Sequence, residues 1–330
     1  MPVHDLGYRN WQGRRTPRVL RPLVVARGGI SLVWRKRWLR TMLMLAWLPI
    51  IVPAFGIFAF EFSSTDPGMQ RAVFQFLRGP MQRPDLAVQA MTDPSLARHE
   101  VWSTLILAFF RYPQLSVMVL FVGLIAPMLV SYDLRSKAYL LYFSRPLAPM
   151  EYIVGKSAVV WFFLTAIVTV PALMLYVVGV LLSPELSVVY ETWDLPLRIL
   201  AASVALVVPT TALALCYSSW TSESRYATFS WFATWVMGFV AYQILTFAGV
   251  RDELSRPRRG RGGPRWEDLD VDLDQWRWLS PYHTLGKVES WIFDLDKTDG
   301  SVWPAVGLLV VITIAGTWIV RARIIARLSV

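Results

Sequence analysis

The sequence contains few charged residues, one cysteine and three histidines. Only 17% of its 330 residues are charged, whereas soluble globular domains carry about 25%. The single cysteine excludes an intramolecular disulfide and a multi-cysteine metal site, and the histidines lack metal-ligand spacing. These shortages exclude an ordinary soluble enzyme, and no basic domain for nucleic-acid binding stands out. We therefore expect no metal site and no nucleic-acid partner.

Apolar residues dominate instead, at 55% of the chain. Six runs of 20 to 28 residues contain no Asp, Glu, Lys or Arg. A bilayer core needs about 20 helical residues, whereas strands of a membrane barrel are about half that length. The runs therefore predict an all-α, polytopic membrane protein. Its predicted transmembrane helices are 41–60, 112–132, 157–184, 199–222, 226–250 and 300–320. Prolines inside these runs are tolerated if neighbouring helices satisfy the carbonyls that proline frees.

The segments outside the runs predict the remaining organisation. Residues 1–40 form a basic N-terminal segment, in which 19–40 is predicted to be an amphipathic helix lying on the membrane surface. Residues 41–330 form the six-helix domain, with two long connecting segments, 61–111 and 251–299. The first segment predicts short helices near 69–77 and 84–91. The second contains an arginine-rich linker and an amphipathic stretch at 285–295.

The distribution of charge predicts the orientation. If the N-terminus is cytoplasmic, the cytoplasmic segments hold 18 basic and 4 acidic residues, and the external segments hold 15 and 19. This bias follows the positive-inside rule. We expect a multi-pass protein of the plasma (inner) membrane with both termini in the cytoplasm. The arginine cluster at 256–265 is the exception, and the acids of the same segment offset it.

The predicted spans contain no acidic or basic residue, which argues against an ion-coupled carrier and against an intramembrane hydrolase that uses carboxylates. Gly155-Lys156-Ser157 resembles the end of a phosphate loop, but Met150 stands where that motif needs glycine. We therefore expect no nucleotide or other cofactor on this chain. The acidic stretches 270–274 and 294–296 lack the glycine and glutamate of a calcium loop.

The most informative segment lies between the second and third predicted spans. A half-apolar stretch, 134–143, is followed by a Ser-Arg-Pro break at 144–146, and Pro149 then opens a helix that continues into the membrane. Such a helix can transmit force from a soluble partner. On the residues alone, the favoured interpretation is instead an interfacial loop whose basic residues act as membrane anchors, namely Arg135, Lys137, Arg145 and Lys156.

This segment resembles a loop shared by the membrane subunits of type-2 ABC transporters, the six-span export permeases. The resemblance covers about 25 residues, and Lys137 stands where those proteins usually have glycine. Its matching residues are Asp133, Arg135, Ser136, Ser144, Arg145, Pro146, Leu147, Glu151, Tyr152, Gly155 and Lys156.

The resemblance implies that the loop docks on a separate ATP-binding subunit, which holds ATP and Mg, so this chain is not itself an enzyme. Two ATPases and two permeases, most simply identical copies, would form the working unit. Docking would use the apolar and aromatic side chains of Tyr139, Leu140, Tyr142 and Phe143, and the charge pair Arg145 and Glu151 would fix the orientation. Small residues in the first and fifth spans, including Gly56 and Gly238, could permit close helix approach between copies.

Three functions remain open from the sequence. The first is export of an amphiphilic or lipid-like substrate. The second is a structural or regulatory subunit that transmits mechanical signals to an extracytoplasmic partner. The third, a lipid-modifying enzyme, lacks a cluster of acids or histidines near a membrane face. Membrane lipids are expected partners in every case.

Overall fold

The computed structural model describes residues 17–63, 66–79, 81, 83–143, 147–183, 187–255, 275–296 and 300–328. These residues form helices and connecting turns, with no strand among them. The helices are α1 (Arg21–Trp34), α2 (Arg37–Leu45), α3 (Ile51–Phe62), α4 (Pro67–Arg78), α5 (Pro84–Thr92), α6 (Pro94–Leu115), α7 (Val117–Leu129), α8 (Ser131–Arg135), α9 (Ala138–Phe143), α10 (Pro149–Leu164), α11 (Val170–Leu182), α12 (Val188–Glu191), α13 (Leu195–Trp220), α14 (Ser224–Ser255), α15 (Pro281–Ile292) and α16 (Trp303–Leu328).

The six predicted spans are confirmed as helices that are long and apolar enough to cross a membrane. Most of them extend beyond the charge-free runs, so their ends include charged residues. Among the described residues they are Arg37–Phe62, Val117–Arg135, Pro149–Leu182, Leu195–Trp220, Ser224–Arg251 and Trp303–Arg327.

Neighbouring helices satisfy backbone groups that the spans leave free. Pro127 has no N–H to bond the Gly123 carbonyl one turn earlier, and the Thr228 hydroxyl of α14 donates to that carbonyl at 3.0 Å. The third span contains a π-helical turn, Thr165–Thr169, where the Trp47 indole donates to the Ala166 carbonyl at 3.0 Å. The irregular turns of two spans therefore become contacts between helices.

The bundle has two ends, which we name by the segments they carry. The motif end carries residues 131–143 and 147–156, the link between α13 and α14, and the C-terminal end of α16. The far end carries the link between α3 and α6, the N-terminal end of α13 and the C-terminal end of α15. Arg135 near Glu223, and Arg323 over the Trp220 ring, tie the motif end together.

The N-terminal amphipathic segment differs in one respect from the prediction. Residues 19–40 are not one helix, because the chain breaks at Arg35 and Lys36 and α2 then begins the first span. Helix α1 packs along α10, with Val25, Gly29 and Val33 buried. The surface helix therefore covers the start of the third span.

At the far end, the predicted short helices are confirmed as α4 and α5, but α6 was not predicted. It begins at Pro94, where the Asp93 carboxylate accepts hydrogen bonds from the Ser95 and Leu96 amides. Helix α6 packs against α3, α5, α7 and α11 and leads into the second span. The predicted start at residue 112 falls near the end of α6.

Helix α15 contains most of the predicted amphipathic stretch at 285–295, and residues 284–289 are buried among α6, α13, α14 and α16. A Cβ added at Gly238, midway along the fifth span, would lie 2.6 Å from the Leu279 carbonyl oxygen. Helix α15 therefore begins beside the middle of that span. The arginine cluster at 256–265 and the acidic stretch at 270–274 lie outside the described residues.

Candidate functional site

A buried ion pair joins the two ends of the motif segment, residues 131–156. Lys156 Nζ of α10 lies 2.7 Å from Asp133 Oδ2 of α8, and both side chains are buried. The Tyr152 hydroxyl donates to the same carboxylate oxygen at 2.8 Å. Two neighbouring spans are thus connected through a charge-assisted pair and a phenol, contacts that are stronger than hydrogen bonds between neutral groups.

The turn between α8 and α9 depends on a left-handed residue. Lys137 has φ 56°, a conformation that costs most residues with a Cβ free energy and costs glycine little. The Ser136 hydroxyl donates to the Tyr132 carbonyl at 2.8 Å and helps to end α8. The permeases that this segment resembles usually have glycine at this position, and the left-handed backbone conformation explains that preference.

Helix α9 lies over the buried pair. The Tyr142 ring is 5.6 Å from the Tyr152 ring, and Lys156 Nζ is 5.6 Å from the Tyr142 ring centre. Burial, and then the Asp133 carboxylate, raise the pKa of Tyr142 above its usual value. Tyr139 is half-buried, whereas Leu140 is half-exposed. Phe143 ends α9, and Ser144, Arg145 and Pro146 lie outside the described residues.

Glu151 has partners within its own chain. Its carboxylate accepts a hydrogen bond from the Ala148 amide at 2.9 Å, which satisfies a free N–H at the start of α10. Arg21 of α1 lies 4.0 Å from the same carboxylate. The predicted pairing of Glu151 with Arg145 stays a prediction, because Arg145 is not among the described residues.

Gly155 allows α1 to approach α10 closely. A Cβ at this position would lie 2.7 Å from Val25 Cβ and 2.8 Å from the Pro22 carbonyl oxygen. Gly155, Lys156 and Ser157 all lie inside α10 rather than in a loop. Within this segment, Gly155 therefore makes room for α1, and Lys156 provides the partner of Asp133.

Two further contacts join the motif segment to the fourth span. The Ser131 amide donates to the Ser218 hydroxyl at 3.0 Å, and the Ser131 hydroxyl donates to the Ser218 carbonyl at 2.8 Å. The Ser218 hydroxyl in turn donates to the Ala126 carbonyl at 2.8 Å. Arg135 lies 3.7 Å from Glu223, in the link to the fifth span. The start of α8 is therefore fixed to the fourth span, and its end lies near the link to the fifth span.

Among the described residues of the segment, four large apolar side chains remain exposed despite this packing. Val154, 42% exposed, lies one turn further into the third span, whereas Tyr132, Leu140 and Met150 are 56%, 50% and 41% exposed. We call the latter three the docking set. Sequence reasoning found Leu140 but missed Tyr132 and Met150. The sequence did carry a signal for these two residues. Tyr132 lies next to the charged Asp133 near the start of α8, and Met150 follows the proline with which α10 begins.

The chain matches the family described as ABC-2 family transporter protein over residues 30–320. The match includes α2 to α15, all of the motif segment and most of α16. The chain belongs to this family. It is therefore an ABC-2 permease, a multi-pass transmembrane subunit, as the resemblance of its motif segment implied. A comparison with curated proteins found no match.

The far end of the permease holds ion pairs that the charge-free runs did not predict. Arg98 Nε lies 3.1 Å from Glu61 Oε1, and its Nη1 lies 2.7 Å from Glu191 Oε2. Burial alone would lower the pKa of Arg98, but these two carboxylates outweigh it and raise that pKa. The Trp102 indole also donates to Glu61, at 3.1 Å. Arg98 thus joins α3, α6 and α12.

A second set holds α15 inside the permease. Arg111 of α6 donates to the Tyr282 carbonyl at 2.7 Å, lies 3.6 Å from Glu289 Oε2 and lies over the Tyr282 ring. The Glu289 side chain is fully buried. His283 stacks on the Tyr242 ring, 3.6 Å away. Among the described residues, no three metal-ligating side chains come together to form a metal site.

Proposed function

We propose that this permease forms the transmembrane pathway of an ABC transporter and that its docking set binds a separate ATP-binding subunit. The observation that carries this proposal is the contrast within the motif segment. Tyr132, Leu140 and Met150 are exposed, while the residues beneath them are held by the buried pair of Asp133 and Lys156. Exposed apolar side chains on a rigid support are typical of a specific protein interface.

The support also offers a route for force. Met150 lies in the first turn of the third span, and Lys156 ties that span to the end of the second. A displacement of the docking set therefore acts on both spans and on α1, which packs against Gly155. The partner would bind ATP and Mg, and its two copies would move the permease helices as they close.

We place the motif end in the cytoplasm of a plasma (inner) membrane, with both termini on that side. Arginines and a lysine surround this end in α1, in the turn before α2 and in α16, and few acids accompany them. This charge follows the positive-inside rule. In this proposed orientation, a soluble ATPase can reach the docking set.

The working unit in this proposal contains two copies of the permease. Gly56 and Gly238 do not support the predicted close approach between copies, because they face Leu105 and Leu279 of the same chain. The fifth span is the least buried of the six and exposes large apolar side chains instead. These exposed side chains include Phe229, Val236, Met237, Val240, Ile244 and Phe247.

We propose an amphiphilic or lipid-like substrate. The exposed faces of the spans are apolar, and the buried Asp133 and Lys156 between two of the spans pair with each other. A pathway between such faces favours an amphiphile over a small ion. ATPase stimulation by amphiphiles supports export, whereas ATP-dependent movement of an extracytoplasmic partner without export supports mechanical signalling.

Co-purification with the ATP-binding subunit tests the proposal. Leu140→Glu and Met150→Glu each place a charge in the docking set without touching the buried pair. Val88→Glu is the matched control, because Val88 is similarly exposed on α5 at the far end. We expect at least tenfold weaker ATPase retention in the two docking variants and normal retention in the control. Normal retention in all three variants would refute the docking role.

A further inference from the structure

Five consecutive exposed residues occupy the break between α1 and α2. They are Trp34, Arg35, Lys36, Arg37 and Trp38, and we call them the cationic turn. Helix α1 ends at Trp34, and Arg37 is the first residue both of α2 and of the first span. The two tryptophans are 46% and 45% exposed. Three cations between two exposed indoles therefore lie where the chain enters the membrane.

The packing of α1 places the cationic turn beside the bilayer. A Cβ added at Gly29 would lie 2.5 Å from Val159 of the third span, and the Trp34 ring stacks on the Phe163 ring at 6.4 Å. Val159 and Phe163 belong to the charge-free run 157–184. The end of α1 therefore lies against a membrane-spanning surface, and the three cations follow directly after it.

The chain supplies no counter-charge for these cations. Among the described residues, no carboxylate forms an ion pair with the three basic side chains of the cationic turn. Residues 17–60 contain no Asp or Glu. Other exposed cations at the motif end are paired, since Arg135 and Arg225 lie 3.7 and 3.8 Å from Glu223. The cationic turn thus presents uncompensated positive charge at the boundary of the spans.

We propose that the cationic turn binds the headgroup of an anionic phospholipid. Basic residues beside a bilayer attract anionic headgroups, and tryptophan favours the headgroup level of the membrane. An acidic surface of the ATP-binding subunit would match the same charge, but the stacking of Trp34 on Phe163 places the turn against a span. The cationic turn shares no residue with the docking set, so this inference does not depend on the proposed ATPase contact.

Native mass spectrometry of the detergent-purified permease tests the inference, with phosphatidylglycerol and phosphatidylcholine titrated separately. We expect the wild-type protein to bind phosphatidylglycerol more tightly. Arg35→Gln with Lys36→Gln should weaken phosphatidylglycerol binding about 25-fold, or about fivefold for each charge, and should leave phosphatidylcholine binding unchanged. Arg135→Gln with Arg225→Gln is the matched control, because it removes two exposed cations from the same end that already have Glu223 as a partner. This control should change phosphatidylglycerol binding less than about twofold.

Three outcomes would overturn the inference. The first is equal binding of the two lipids by the wild-type protein. The second is an equal loss of phosphatidylglycerol binding in the two double variants, which would assign the attraction to overall charge. The third is loss of the ATP-binding subunit from Arg35→Gln with Lys36→Gln while lipid binding stays unchanged, which would assign the cationic turn to that partner.

Discussion

Removing one partner of the buried pair of Asp133 and Lys156 should lower the free energy of unfolding strongly. Replacing both partners by apolar residues should lower it much less. Lys156→Met leaves the Asp133 carboxylate buried with the Tyr152 phenol as its remaining described donor. Removing one partner of a buried pair costs about 3–5 kcal/mol, whereas apolar replacement of both partners is often neutral. We therefore expect each single variant to lose about 3–5 kcal/mol of unfolding free energy and the double variant, Asp133→Leu with Lys156→Met, to recover most of it.

The measurement needs a background in which the phenol is absent. Replacing Asp133 removes the acceptor of the buried Tyr152 hydroxyl, a change that itself costs about 1–3 kcal/mol. The double-mutant cycle should therefore be carried out in Tyr152→Phe, with unfolding in detergent micelles followed by tryptophan fluorescence.

The exposed pair of Arg135 and Glu223, 3.7 Å apart, is the control. Arg135→Met should cost at most about 1 kcal/mol. Equal costs for the two pairs, or additive costs in the cycle, would show that the buried pair does not hold the second and third spans together.

Three further predictions concern single positions. Gly155→Ala should lower the unfolding free energy by about 1–3 kcal/mol because its Cβ would collide with α1; thermal unfolding should show this loss, and Gly28→Ala, with open space around it, should show none. Lys137→Gly should be tolerated or stabilising, because φ at this turn is 56° and glycine avoids the penalty that a Cβ brings there. Lys137→Val should be destabilising, because β-branched residues adopt this conformation even less readily than lysine does; equal thermal stability of both variants would contradict this reasoning. Burial, followed by Arg111 and Arg277, lowers the pKa of His283 to about 4. The unfolded chain takes up this proton near pH 6.5, so stability should decline between about pH 6.5 and 4. His283→Phe keeps an aromatic ring beside Tyr242 and should flatten that part of the profile; an unchanged profile would exclude His283 as the cause.

The spans were predictable because the bilayer imposes a length that an apolar run must meet, and each run had that length. Helices α6 and α15 were not predictable by the same reasoning. Arg98, Arg111 and Glu289 interrupt their apolar pattern, and the residues that neutralise them lie far away in sequence. Arg111 and Glu289, for example, meet only because α15 folds back beside the fifth span. No periodicity in the local sequence predicts that α15 folds back beside that span.

In the motif segment, the resembling pattern identifies some of the important residues and does not identify others. The described residues of the resembling pattern work largely inside the chain: Asp133 pairs with Lys156, Gly155 makes room for α1, and Glu151 caps α10. Such roles depend on one side-chain type, so a recognisable pattern follows from them. The exposed Tyr132 and Met150 lie outside that pattern and need only match the surface of a partner. If the docking role is correct, the pattern specifies the support for docking, and the choice of ATPase lies with the exposed residues. Exchanging the docking set between two ABC-2 permeases should then exchange their ATPase partners, whereas exchanging Asp133 and Lys156 together should not.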